Sequence, residues 1–424
     1  MKKHILFITT ANLPTNPRLL KEVDIACKQY KVTVIIWKLG NWSDNLNQQM
    51  IEERLNINFH LLDATKGHKF NWLIFAIIEK LARILYPFLK KSLLANAVAQ
   101  TRRSLQLYRL IKRQNLKPNL VIAHNLGALY PAYQLSLKNN IPFTFDIEDY
   151  HPGELIEFDT INEKERRELL MKKMLPKAKV LTSASPLIGE HSLKLLGGHP
   201  NHTVILNGFS NKEFSSPKQP FGISDKKLKL VWFSQTISFG RGLEQLFGAL
   251  MYLAKDSSIS DNTLQLTLIG ELDKQFEQQH IQPLISNTGC KVIVEILPPL
   301  SQKNLHKELA NHDIGLALEY NSTDINRQIC LTNKIFAYAQ AGLYILATDT
   351  PAQKMYIEKY SGFGLLCEQS DMALSESIKY LISNAEHIKC KSEERFLNAR
   401  ERLSWEVEEQ KLNAIWNNIV DKNR

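Results

Sequence analysis

The chain has 424 residues, 44% of them hydrophobic and 23% charged, which excludes a disordered polymer or a small disulfide-stapled domain and leaves room for about two cores. Its formal charge of +10 is uneven: residues 1–120 hold 20 Lys and Arg against 7 Asp and Glu, and the remainder is slightly acidic. Five scattered cysteines (Cys27, Cys290, Cys330, Cys367, Cys390) without a CxxC pair argue against structural zinc, and the apolar run of MKKHILFITT is too short for a signal peptide, so a cytoplasmic protein is expected.

Strand-like runs alternate with helical patterns from end to end. ILFIT (5–9) precedes a helical stretch from about Pro17 to Gln29, followed by KVTVIIW (31–37) and INFHLLD (57–63). KFNWLIFAIIEKLARILYPFLKK (69–91) carries a helical apolar stripe at Phe70, Leu73, Ile74, Ile77, Ile78, Leu81, Leu85 and Phe88. Glu79, Lys80 and Arg83 interrupt it, so it does not read as a bilayer span. Two readings fit: a helix packed in a domain core, or one lying on a membrane surface. Between residues 66 and 117 there are 12 basic residues and one acid, Glu79, a field suited to phosphate. No helix-turn-helix, RNP or zinc-finger pattern accompanies it, so nucleic acid is not an expected partner.

LVIAH (120–124), IPFTF (141–145), KVLTSA (179–184) and TVILNG (203–208) complete a first domain, 1–209. A polar stretch without apolar periodicity, 210–227, reads as a linker. The pattern then restarts with LKLVWFS (228–234), LQLTLIG (264–270), KVIVEIL (291–297), IGLALE (314–319), LYILAT (343–348) and GFGLLCE (362–368), in a second domain, 228–392. The remainder, 393–424, reads as one long helix packing back through Trp405 and Trp416. Such alternation predicts an α/β fold of two Rossmann-like domains, each a parallel sheet covered on both faces, with ligands beyond the carboxyl ends of the strands. Neither half has a GxGxxG or Walker loop, which argues against nicotinamide and P-loop chemistry.

Directly after IPFTF comes FDIEDYHPGE (145–154), which gathers Asp146, Glu148, Asp149, His151 and Glu154 at a strand end. Carboxylates there can accept hydroxyl hydrogen bonds or act as a general base, and their crowding raises at least one pKa. The plainer alternative is that Asp149 and Glu154 cap the next helix or pair with Arg166 and Arg167. Asn16 and Arg18, after the first strand, and His124, closing LVIAH, occupy comparable strand-end positions.

Four segments resemble family 4-like glycosyltransferases of the GT-B fold: ANLPTNPRLLKEVDIACKQYKVTVI (11–35), WFSQTISFGRGLEQLFGAL (232–250), CLTNKIFAYAQAGLYILATD (330–349) and LSWEVEEQKLNAIW (403–416). The resemblance implies transfer of a sugar from a nucleotide-diphosphate donor, held mainly by the C-terminal domain, to an acceptor held mainly by the N-terminal one, with reaction in a cleft between facing domains. It implies neither a cofactor nor a catalytic metal, since helix N-termini and cations neutralise the departing diphosphate. By the same resemblance Arg241 and Lys334, with Thr332 and Asn333, hold the diphosphate. Gln235 stands where the family has an arginine, and Ala337 where it has a ribose-binding Glu. Glu319 becomes a substitute or a contact to the donor sugar, and Pro299 and Leu300 line the base pocket. The family's D-x-H-E places Asp146 on its Asp, Glu148 on its His and Asp149 on its Glu, which makes these three the catalytic candidates. Asn16, Arg18, His124 and His151 are the acceptor-side candidates. The acceptor so implied is a glycan or lipid-linked glycan of surface polysaccharide or lipopolysaccharide synthesis, met at an anionic membrane face through the 66–117 region. A sugar-nucleotide epimerase on the same scaffold and an inactive nucleotide-sugar-binding protein are the alternatives, the latter kept open by Gln235 and Ala337.

Overall fold

The computed structural model describes residues 2–156, 159–217, 227–257, 259–261, 263–287, 291–320 and 324–421. They form two α/β units, one made of Met1–Ile205 with Glu409–Arg424, the other of Leu206–Glu408. Within the 210–227 stretch, residues 218–226 lie outside the described residues, as does Cys290; the other four cysteines are free thiols.

The first unit is built on β1 (His4–Thr9), β2 (Lys31–Lys38), β3 (Asn58–Asp63), β4 (Leu120–His124), β5 (Phe143–Ile147), β6 (Val180–Ser183) and β7 (His202–Val204). They pair in parallel in the order β3-β2-β1-β4-β5-β6-β7, so the winding reverses between β1 and β4. Every residue of β4 and β5 is buried, as continuous apolar runs in a doubly covered sheet require. The second unit repeats the plan with β8 (Leu228–Ile237), β9 (Leu264–Leu272), β10 (Val292–Leu297), β11 (Ile314–Ala317), β12 (Tyr344–Thr348) and β13 (Gly364–Cys367). Their order is β10-β9-β8-β11-β12-β13, with the reversal between β8 and β11. Trp232, Phe247 and Phe276 sit in its core.

Each expected strand is present, and the differences have local causes. β5 runs two residues further than IPFTF, carrying Asp146 into the buried sheet, because Arg18 and Thr182 satisfy its carboxylate there. The 69–91 helix ends at Ile84 and a separate turn, Tyr86–Leu89, follows, since Pro87 lacks an N–H and biases the preceding residue away from helix. The single C-terminal helix is two, Ser392–Arg402 and Trp405–Asp421; at the break the Trp405 N–H bonds the Phe209 carbonyl instead of continuing the helix. Trp416 packs edge-on against Phe7, returning the chain end to the first unit.

Candidate functional site

In the first unit the strand-end residues form one buried charge network around the β1/β4 reversal. The helix Pro17–Gln29 starts on Asn16, whose side chain accepts from the Leu19 N–H at 3.0 Å, with Pro17 in the first turn. This orientation buries Arg18 and Glu22, one turn apart. The Arg18 guanidinium grips Asp146 with Nε at 2.7 Å and Nη2 at 2.8 Å, while Nη1 donates to the Ile205 carbonyl at 2.8 Å. Thr182 donates to the same carboxylate at 2.5 Å. Burial opposes the charge on Asp146, but Arg18 and its hydrogen bonds prevail and hold the carboxyl down to about 2.

His124, fully buried, is ringed by three carboxylates: Nδ1 lies 2.9 Å from Glu148 and 3.6 Å from Asp146, and Nε2 lies 3.4 Å from Glu22. Burial favours the neutral ring, yet these neighbours push its pKa up to about 10. Glu22 itself is pushed up, chiefly by burial. Glu148 is the network's outlet: its side chain is 14% exposed, against 2% or less for Glu22, His124 and Asp146. One oxygen of Glu148 faces His124 and the other accepts from Asn125 Nδ2 at 2.9 Å. Asn125 adopts φ +67°, an unusual angle for a non-glycine residue, and its side-chain Oδ1 accepts from Thr9 Oγ1 at the end of β1. A carboxylate whose two oxygens are fixed by His124 and Asn125 at the end of β4, with Asn125 itself tied to the end of β1, is pre-oriented toward whatever approaches the reversal point.

The remaining acceptor-side candidates are placed differently. Arg18, His124 and Asn16 are buried and committed to Asp146, Glu148 and a helix cap, so they act behind the surface and do not present themselves to an acceptor. Asp146, expected as a catalytic acid, is likewise enclosed by Arg18 and Thr182, the cost of the strand's extension. Asp149 is half-buried, its carbonyl accepting from the His151 N–H at 3.0 Å. His151 pairs with Glu154 at 3.0 Å, and Glu154 with Arg167 at 2.5 Å, the ion-pair alternative for that carboxylate. Glu22, Asn125 and Thr182 were not singled out by sequence. A charged pair, Arg18 and Glu22, on the helix's apolar stripe beside Leu19 and Val23 was the available signal. Glu22, His124 and Asp146 offer ligand atoms within 4.8 Å of one another, but the Asp146 carboxylate is already closed by a guanidinium, against which a metal ion would sit.

In the second unit a cationic group gathers at the β8/β11 reversal. β8 ends in a register irregularity between Phe233 and Thr236, leaving Gln235 exposed, and the chain then turns through Gly240-Arg241-Gly242, both glycines at φ near +75°. A Cβ on Gly242 would lie 2.9 Å from Leu318 Cβ, so glycine is what lets this loop meet the end of β11. Gly242→Ala is expected to cost about 1–3 kcal/mol through backbone strain and this contact, read as an earlier urea transition. Arg241 is exposed. The helix Asn333–Gln340 lies flat on β11 because Gly315 leaves room for the Tyr338 ring.

That helix begins at Thr332, whose side chain makes no capping bond, whereas Ser301, Asp324, Thr350 and Ser370 all cap theirs. Asn333 Oδ1 accepts from Asn207 at 2.7 Å. Lys334 is 6% exposed, with Nζ 5.0 Å above the Trp232 ring and 3.6 Å from Glu319 Oε1, beyond good hydrogen-bonding distance. Burial lowers its pKa, Glu319 opposes this and Arg241 adds to it. The Glu319 backbone is pinned by Thr348 at the end of β12, at 2.8 and 2.9 Å. Ala337 is fully buried, so no hydroxyl contact originates there. Pro299 is exposed and Leu300 half-buried in the loop after β10. Trp232 and Thr348, the floor and clamp of this group, carried no sequence signal beyond their strands.

No protein-family model matches the chain, and no curated protein matches it in sequence. Among solved structures, the chain is similar to Anabaena HepE in complex with UDP, at 16% identity and a TM-score of 0.63 over 99% of this chain and 100% of that one. A further structure of HepE holds UDP-glucose. Sucrose-phosphate synthase from Thermosynechococcus elongatus is similar at 13% identity and a TM-score of 0.63, covering 99% and 100%. A Listeria monocytogenes protein assigned as a UDP-N-acetylglucosamine 2-epimerase is similar at 14% identity and a TM-score of 0.56, covering 98% and 96%. At such identities the likeness establishes the fold, two parallel-sheet α/β domains of the GT-B class.

Proposed function

We propose that this chain is a glycosyltransferase that moves a sugar from a nucleoside-diphosphate donor, bound by the second unit, to a hydroxyl of an acceptor bound by the first. The observation that carries the reading is Lys334: a desolvated ammonium beside an uncapped helix N-terminus, near a second cation, Arg241, and paired with Glu319 only at 3.6 Å. Glu319 offsets one of these two cations, and a diphosphate would supply the remaining counter-charge. The HepE complexes make a UDP-sugar the donor to test first. In the reaction the bond from the anomeric carbon to the diphosphate oxygen breaks as the acceptor oxygen bonds to that carbon. The acceptor's proton passes to Glu148, and Lys334, Arg241 and the helix amides take up the charge on the leaving diphosphate.

Titration calorimetry with UDP tests the donor half. Lys334→Met is expected to weaken UDP binding by about 10- to 100-fold, the worth of one or two charge-assisted hydrogen bonds. Because burial penalises the ammonium, the same variant is expected to melt no lower than the parent. Arg241→Ala should weaken UDP less, since that side chain is exposed. Unchanged UDP affinity in both variants would remove the diphosphate assignment, and epimerised UDP-sugar without transfer would favour the epimerase reading.

The acceptor is proposed to be lipid-linked, in surface-polysaccharide synthesis, and met at an anionic membrane. The support is the helix Lys69–Ile84, whose Phe70, Leu73, Ile77, Leu81 and Ile84 are about half exposed or more, followed by Phe88 at 86% exposure. No helix among the described residues is long and apolar enough to cross a membrane. Phe70→Ser with Ile77→Ser is expected to abolish flotation with phosphatidylglycerol vesicles while leaving UDP binding intact.

A further inference from the structure

The first unit contains a concave site whose lining shares no residue with the Glu148 network. A cavity of about 360 Å³ lies between the end of β3, the helix Lys69–Ile84 and the helix Arg102–Gln114. Its lining includes Thr65, Trp72, Phe75, Arg102, Arg109 and Arg113. The three arginines stand at intervals of seven and four along one helix, hence on one face. None closes an ion pair among the described residues. They rest instead on rings, Arg102 at 4.5 Å from the Trp72 centroid and Arg109 at 5.1 Å from that of Phe75. Aromatic faces hold a guanidinium in place without using its N–H donors, which stay available in the cavity.

Two carboxylates are nearby. Glu79, the one acid of the 66–117 stretch, is paired with Arg83 at 2.8 Å and accepts from the Arg102 backbone N–H. Asp63 lines the cavity and accepts from the Thr65 N–H at 2.7 Å. Three cations against that single lining acid leave a surplus of positive charge. The cavity volume is at the lower end for small-molecule sites, enough for a charged head and one ring. Trp72 and Phe75 project from the side of their helix opposite the exposed Phe70, Leu73, Ile77, Leu81 and Ile84, since at 100° per residue those five fall within an arc of about 80°.

We propose that this cavity binds a phosphate or diphosphate ester, the anionic part of the acceptor, so that the acceptor is recognised by its phosphate as well as by its sugar hydroxyl. This rests on the reading that the first unit holds the acceptor. Guanidinium forks match phosphate oxygens in pairs, and the ring walls suit the apolar or sugar group attached to them. The phosphate can come from a lipid carrier or from a soluble phosphorylated sugar, and the chemistry recognised is the same.

Equilibrium binding of inorganic pyrophosphate and of farnesyl diphosphate to the full chain at 0.15 M salt (roughly physiological screening), with the donor site saturated by UDP, tests it. Arg109→Gln with Arg113→Gln, both exposed side chains, should weaken both probes at least tenfold while UDP affinity stays unchanged. Lys112→Gln with Lys117→Gln removes the same charge outside the cavity and should change binding less than threefold. Tighter binding of farnesyl diphosphate than pyrophosphate assigns the lipid source, and equal binding the soluble one. Absent pyrophosphate binding, or equal losses in the two double variants, would overturn the cavity assignment. Loss of UDP binding alone would count against the donor site and leave this one standing.

Discussion

Arg18→Met should lower the stability of the first unit by about 3–5 kcal/mol, the usual penalty for removing one partner of a buried ion pair. For a unit of this size that is a fall in Tm of roughly 10 °C. The reason is specific: Arg18 is one of two cations facing Asp146, Glu148 and Glu22, and its loss leaves an enclosed carboxylate with Thr182 and a distant imidazole. Adding Asp146→Leu to Arg18→Met should recover most of the loss, because the desolvation of both charges disappears together. The pH dependence follows from the same residues. His124 is held at about 10 against an ordinary 6.5, so the stability it contributes is complete below pH 6.5 and is lost as pH rises through 10. Burial raises Glu22 as well, which acts in the same sense. Asp146, held at about 2 against 3.8, contributes above pH 3.8 and loses that contribution as pH falls through 2. Asp146 and His124 together favour the range from pH 3.8 to 6.5, and Glu22 draws the maximum toward its lower end because its contribution declines above 4.5. The first unit is expected to melt progressively lower toward pH 10. Melting curves across that range check this, and a flat profile above pH 7 would contradict a charged His124.

The two-domain architecture was legible because parallel strands buried on both faces write themselves as uninterrupted apolar runs, such as LVIAH and LYILAT, separated by helical periods. Strand ends were less legible where a polar residue is satisfied by a distant partner. Asp146 looked like the residue after a strand, and only Arg18, 128 positions away, explains its burial. The same long-range pairing made Arg18 and His124 look like surface contacts, whereas both are buried, Arg18 closed on Asp146 and His124 on Glu148. In the second unit the positions of Lys334 and Arg241 beside helix starts were readable from local sequence. The openness of that helix start was not readable: Thr332 is a good capping residue by type, and only the fold shows that its side chain does not cap. The role of Glu in the family's ribose contact has no counterpart at Ala337, which packing encloses completely.

Glu148→Gln is expected to reduce kcat for transfer by about 10²- to 10⁴-fold, the range associated with a positioned general base, while leaving UDP affinity unchanged. The substitution keeps the shape and a carbonyl for His124 Nδ1, and Asn125 can turn its amide to meet the new NH₂, so the Tm should move little. A structural role alone predicts the reverse: a lowered Tm with kcat per folded molecule preserved. His124→Gln separates support from chemistry. It removes the cation that holds one Glu148 oxygen but leaves the carboxylate, so kcat should fall less than in Glu148→Gln, and His124's share of the stability loss toward pH 10 should vanish with it. Combining the two substitutions should cost little more in rate than Glu148→Gln alone, since residues that act through one another are not additive. Multiplicative rate losses would mean that His124 and Glu148 act independently. The imidazolium would then have no part in positioning the carboxylate, and Glu148 would owe its orientation to Asn125 and the strained turn that carries it.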